Sequence, residues 1–152
     1  MPSMEKMHYV VATGIIIRDG KFLIVKRAPH EIAFPNRWTV PGGKLEPKDY
    51  SNREKDTPYH WFGVLERLLE REAMEEVGLE ISNIRYLTNL AFIRPDGVSS
   101  LVISLFADHK GGDVKLCKDL TEHAWVTAEE AKRYDLIEGI REQIEEVNRL
   151  IR

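Results

Sequence analysis

Cysteine is nearly absent from this chain of 152 residues: Cys117 stands alone. One thiol forms no internal disulfide, so a disulfide-stapled fold is excluded and a reducing, cytoplasmic setting is expected. Long apolar runs are also missing. The longest, around Val10 to Ile17, is far too short to span a bilayer, and the start carries no apolar leader. There is no basic excess: 22 Lys and Arg face 25 Asp and Glu, a formal net charge of −3. That argues against a general binder of nucleic-acid polymer or membrane. It leaves a small nucleotide open, since a local cation and a few Lys or Arg offset phosphate charge. No internal repeat, low-complexity tract or second-domain linker interrupts residues 1–152, which read as one domain. At 43% hydrophobic and 31% charged residues, the composition is that of a soluble globular protein. The five histidines form no spaced ligand set, and none is assigned to metal.

What is present begins with Arg71-Glu72-Ala73-Met74-Glu75-Glu76-Val77-Gly78-Leu79. Glu72, Glu75 and Glu76 stand at i, i+3 and i+4, so on a helix all three lean to one side. Like charges that close weaken a helix unless a cation sits among them. Hard divalent ions take such oxygen ligands, together with water and substrate phosphates. Phe62, Leu65, Leu69 and Ala73 make one apolar stripe, with Val77 at its edge. Glu72 and Glu76 border that stripe and Glu75 lies further round. Glutamates on a helix more often only solvate a face, but charge beside a core is costly without a partner. Gly78 suits a C-cap.

Upstream, Trp38-Thr39-Val40-Pro41-Gly42-Gly43-Lys44-Leu45-Glu46 reads as a short apolar strand broken by Pro-Gly-Gly. Paired glycines there allow a sharp turn and a close backbone approach. Together the two stretches resemble the Nudix box, the signature of the Nudix hydrolase superfamily: Gly, five residues, Glu, seven residues, then Arg-Glu-aliphatic-x-Glu-Glu-x-Gly-aliphatic. The second half is matched in full. The first half starts at Gly43, places Asp49 where the family has Glu, and separates it from Arg71 by residues 50–70. Those twenty-one residues replace seven, an insertion of fourteen.

The rest of the chain divides into short elements. His8 to Ile17 reads as a strand buried on both faces, with an Asp19-Gly20 turn leading to a hairpin partner at Phe22 to Lys26. A loop through Ala33 and Arg37 forms a candidate binding lip. Thr57 and Pro58 resemble an N-cap and N1. They predict a helix from Pro58 to Val77, about two turns longer than the family's, with Tyr59, Trp61 and Phe62 packing its added turns. Strands are expected over Ile81 to Ile93 and Val98 to Ala107, around a turn at Arg94 to Gly97. An acidic loop from Asp119 feeds a short strand ending at Val126. Thr127 caps a helix over Ala128 to Arg133, and Leu136 to Ile151 reads as a C-terminal helix with Ile137, Ile140, Ile144, Val147 and Ile151 on one stripe.

Residue patterns alone give an α/β or α+β domain. The resemblance implies the Nudix fold, a mixed β-sheet sandwiched between α-helices, and a hydrolase acting on phosphorus-containing acid anhydrides. It implies Mg²⁺ (or Mn²⁺) held by Glu72, Glu75, Glu76 and the Gly43 backbone carbonyl, with Asp119 or Glu122 as an extra ligand or base. Arg71 would orient a glutamate through a charge-assisted pair. Arg27, Arg37 and Lys44 are candidates for substrate phosphates, although a solvated charge is commoner at each. Phe34 and Phe92 are candidates to stack on a base; Trp38 fits core packing better. The expected substrate is a small nucleotide, foremost a (deoxy)nucleoside triphosphate or an oxidised nucleotide. ADP-ribose or a nucleotide sugar is the rival, and a non-catalytic nucleotide sensor is the reading from another class. A homodimer is compatible with the aromatic insertion.

Overall fold

The computed structural model describes residues 4–152. Seven strands form one mixed sheet: β1 (His8–Arg18), β2 (Lys21–Arg27), β3 (Trp38–Thr39), β4 (Gly42–Lys44), β5 (Glu80–Ile93), β6 (Ser99–Gly111) and β7 (Leu120–Val126). The order is β3-β2-β1-β6-β5, with β4 also paired to β1 and β7 to β2. Only β1 and β6 run parallel. The β1–β2 hairpin closes through Asp19 at φ 51 and Gly20 at φ 74. Two left-handed residues in a two-residue loop make the turn whose twist suits a hairpin.

Side-chain alternation splits the core in two. Ala12 and Ile16 of β1, Leu23 and Val25 of β2, and Leu105 and Ala107 of β6 pack under α1 (Val64–Val77). Ile15, Ile17, Phe22, Ile24 and Phe106 point the other way, against α2 (Ala128–Ala131) and α3 (Ile140–Leu150). The sheet thus lies between helices, the expected sandwich. Thr127 caps α2 through a reciprocal box with Glu130.

Two helices start later than their sequence patterns predict. α1 begins at Val64, not Pro58, because Gly63 adopts φ 69 and the preceding residues bond among themselves. Thr57 Oγ1 meets His60 Nδ1 at 2.7 Å and accepts from Tyr59 N at 3.2 Å, and Phe62 N donates to Asp56 Oδ2 at 2.9 Å. Those bonds form a local turn that competes with helix. Trp61 turns inward, its indole N–H on Arg53 O at 2.9 Å and its ring 5.2 Å from Tyr50. Phe62 therefore leaves the predicted stripe and is exposed; Leu68 takes a place in the buried face instead. α3 begins at Ile140 behind Gly139 at φ 92, since Leu136 is spent on a parallel bridge to Trp38.

Candidate active site

Helix α1 lies close on the sheet because β1 has no side chain at Gly14: a Cβ there would stand 2.6 Å from Leu69 Cδ2. With Leu68, Leu69, Ala73 and Val77 buried, the turns between them aim Glu72 and Glu76 at β4. Gly42 N donates to Glu76 Oε1 at 2.8 Å. Gly43 stands so near Glu72 that any side chain at 43 would collide with its carboxylate. Neither glycine has a positive φ. The expected sharp turn is absent, and Gly42 and Gly43 serve close approach within a strand.

Arg71 ties the cluster together. Its Nε donates to Asp49 Oδ1 at 2.6 Å, and Nη1 lies 2.9 Å from Glu75 Oε2 and 3.0 Å from Glu72 Oε1. Asp49, whose side chain is 1% exposed, thus fills the family's Glu position despite its shorter side chain and the insertion. Its reach is extended by a helical turn at Pro47–Asp49 that carries it inward, where it also accepts from Glu46 N at 2.8 Å. Burial pushes the Asp49 carboxyl up, but its bonds from Arg71 and Glu46 N outweigh that and hold it below the usual range. Glu72 is pushed up by burial, against the pull of Arg71. Glu76 is pushed up to about 8, chiefly by burial, since Gly42 N and the more distant Arg27 charge offset it only in part.

The remaining predicted residues divide. Asp119 bonds His30 Nε2 at 2.9 Å and acts on Glu76 through its charge. His30, Glu31 and Asp119 hold ligand atoms within 4.8 Å of one another, a grouping that crosses 89 residues and has no signal in local spacing. Glu122 instead pairs with Lys26 at 3.2 Å. Arg27 is engaged by Glu31 at 3.1 Å and Ala33 O at 2.8 Å. Arg37 is drawn away from any phosphate role: it grips Glu138 at 2.9 Å, Asp135 at 3.3 Å and Leu136 O at 2.6 Å, fastening the loop before α3. Phe34 is exposed in that lip at φ 49. Trp38 packs in the α3-side core, edge-on to Tyr134 at 4.8 Å. Lys44 and Phe92 lie on the far side of the sheet from α1, near Tyr9, which sequence patterns did not single out; Lys44 Nζ is 4.5 Å from the Tyr9 ring.

The donor set suits a hard divalent cation. Glu76 makes no ion pair among the described residues, and its carboxyl is held up beside a second carboxylate that is also held up. A cation between them would relieve both. Glu72, Glu75 and Glu76 do not bring their oxygens within 4.8 Å of one another: Arg71 holds Glu75 and Glu72 while Gly42 holds Glu76.

Comparison with known proteins bears on the fold. A MutT Nudix hydrolase from Burkholderia pseudomallei superposes with a TM-score of 0.73 at 21% identity, covering 93% of this chain and 99% of that one. The fold is the Nudix fold. By sequence, the chain is similar to the nucleoside triphosphatase NudI of Klebsiella pneumoniae, 25% identical over 83% of this chain and 86% of NudI. It is also similar to the NAD-capped RNA hydrolase NudC of Chromobacterium violaceum, 27% identical over 99% of this chain; the chain spans about half of that relative, 49%. Relatives by sequence and structure are therefore Nudix hydrolases. No protein-family model matches the chain. No helix among the described residues is long and apolar enough to cross a membrane.

Proposed function

We propose that this Nudix-fold protein hydrolyses the pyrophosphate bond of a nucleoside diphosphate linked to another group, foremost a (deoxy)nucleoside triphosphate or an oxidised nucleotide, with Mg²⁺ as cation. The observation that carries the reading is Glu76, a carboxylate set out of water beside Glu72 and against the Gly42-Gly43 backbone. That placement is costly for a structural glutamate and useful for one that meets a cation and a phosphate.

Glu72, Glu75, Glu76 and the Gly43 carbonyl would hold the cation, which when bound neutralises phosphate charge and acidifies a water. The protein's own part is positioning. Arg71, fixed by Asp49, sets the direction of Glu72 and Glu75. Asp119, oriented by His30, is a further carboxylate near Glu76 able to accept a proton. The relation to a nucleoside triphosphatase supports triphosphates as the first substrates to try.

The test is a phosphate-release screen with coupled pyrophosphatase. It would cover nucleoside triphosphates, oxidised purine nucleotides, ADP-ribose, sugar nucleotides and dinucleoside polyphosphates, each with and without Mg²⁺. Mg²⁺-dependent release from a triphosphate is expected. Nucleotide binding without turnover of any compound would replace the hydrolase by a sensor.

A further inference from the structure

Four carboxylates surround Arg71, and only three of them are paired closely with it. Asp49 takes Nε at 2.6 Å, while Glu75 and Glu72 share Nη1 at 2.9 Å and 3.0 Å. The fourth is Glu46, whose Oε2 stands 3.9 Å from Nη2. Nη2 itself is buried and makes no hydrogen bond. Arg donates through a fixed fork and cannot give up its charge, so a buried N–H of that fork without an acceptor is unfavourable.

The cause is local. Asp49 spends Oδ1 on Arg71 Nε and Oδ2 on Glu46 N at 2.8 Å, and makes no bond to Nη2. The same turn is closed by Asp49 N on Glu46 O at 2.9 Å, which ties the backbone of Glu46 to the residue that anchors Arg71. Glu46 falls inside the unspecified five-residue spacer after Gly43, so the signature gives it no role. Its side chain is 52% exposed, and Oε2 also meets Lys48 Nζ at 3.3 Å. An exposed pair of that kind holds weakly. A shift of about 1 Å would bring Oε2 from its present place to hydrogen-bond distance of Nη2.

We propose that Glu46 is a positioning residue, which takes up Arg71 Nη2 as Glu72 and Glu75 leave Nη1 for a divalent cation. The proposal rests on the hydrolase reading above and deepens it. Arg71 and a cation compete for the same two carboxylates, because Nη1 is paired with both. Turning Glu72 and Glu75 toward a cation strips Arg71 of two partners and leaves a largely buried positive charge on Asp49 alone, which is costly. A bond from Nη2 to Glu46 replaces part of what is lost. Glu46 thus acts through Arg71 and touches neither cation nor substrate. Its effect is on how readily the two glutamates are released.

The experiment measures binding of Mn²⁺ alone to the whole chain by electron paramagnetic resonance. It compares the wild type, Glu46→Gln, Glu46→Asp, Arg71→Lys and the variant carrying both Glu46→Gln and Arg71→Lys, with thermal melting in chelator as a check of each fold. Glu46→Gln should weaken Mn²⁺ binding about tenfold, the low end for a group one step behind the ligands, with melting near wild type. Glu46→Asp keeps the charge and shortens the reach by one carbon, so most of that loss should remain. Arg71→Lys has no Nη2, and in that background Glu46→Gln should change the affinity by less than about twofold. Wild-type affinity in Glu46→Gln would overturn the proposal and leave the cation site standing. Wild-type affinity in Glu46→Asp, or an undiminished loss in the Arg71→Lys background, would also overturn it, by showing that Glu46 acts through its charge alone. If Arg71→Lys does not fold, Glu46→Asp decides. A wild type that binds no Mn²⁺ would remove the cation site of the hydrolase reading, and the role of Glu46 with it.

Discussion

Residues 50–63 and helix α1 adjoin in sequence and are held by opposite means. α1 is fixed from outside itself, by Gly14 beneath Leu69 and by Gly42 on Glu76. The segment before it is fixed from within. Arg53 bonds Asp56 at 3.1 Å and the Phe62 carbonyl, Trp61 closes on Tyr50, and Tyr59 and Phe62 are left 81% and 63% exposed. A loop held mainly by its own bonds, Arg53 Nε being buried without a partner, draws little on its neighbours. Fourteen extra residues therefore enter the signature without parting Arg71 from Asp49.

Substitutions on the two sides should differ in kind. Glu76→Gln keeps shape and removes a charge where the cation would sit; kcat should fall at least about 10³-fold with the melting temperature retained or raised. Normal Mg²⁺-dependent turnover by that variant would remove Glu76 from the site. Arg71→Lys keeps the charge but not the fork that spans Asp49, Glu72 and Glu75, so kcat/KM should drop about 10- to 100-fold, with a higher Mg²⁺ requirement. An unchanged Mg²⁺ titration would reduce Arg71 to a surface charge.

Acidity sharpens the contrast further. The folded Glu76 carboxyl titrates at about 8, above its ordinary 4.5, so between those values the folded state binds the extra proton. Without metal, the Glu76 contribution to stability should therefore be full below about pH 4.5 and decline as pH rises through about 8. Melting in chelator at pH 5, 6.5 and 8 should show this slope in the wild type and lose most of it in Glu76→Gln; identical slopes would place the buried proton elsewhere. The smallest effect belongs to the loop. Trp61→Ala should cost about 1–2 kcal/mol of stability and leave kcat within about twofold, whereas a collapse of kcat would mean that the insertion shapes the site after all.

Local patterns were legible where local forces decide. Asp19-Gly20 specified its hairpin because two left-handed residues are needed there. The placement of Glu72 and Glu76 beside the core was legible because helical spacing puts charge beside an apolar stripe; Arg71 was named only through the resemblance to the Nudix box. Thr57-Pro58 misled, since the bonds that capture Thr57 come from His60 and Tyr59 in a non-helical turn. Arg37 looked like a phosphate ligand until Asp135 and Glu138 arrived from about a hundred residues away. Tyr9 gave no signal at all: its place opposite Phe92 depends on two strand pairings, one of them parallel, that no short window contains.

The bare backbone at Gly14 sets a tolerance for the whole machine. The gap between α1 and β1 is gauged there by a hydrogen atom, the one spacer that evolution cannot trim. A side chain at 14 would collide with the Leu69 side chain, which packs under the helix turn before Glu72 and Glu76. The spacing of the proposed site at the Gly42-Gly43 edge is thus set partly from beneath the helix, at a position that touches neither carboxylate.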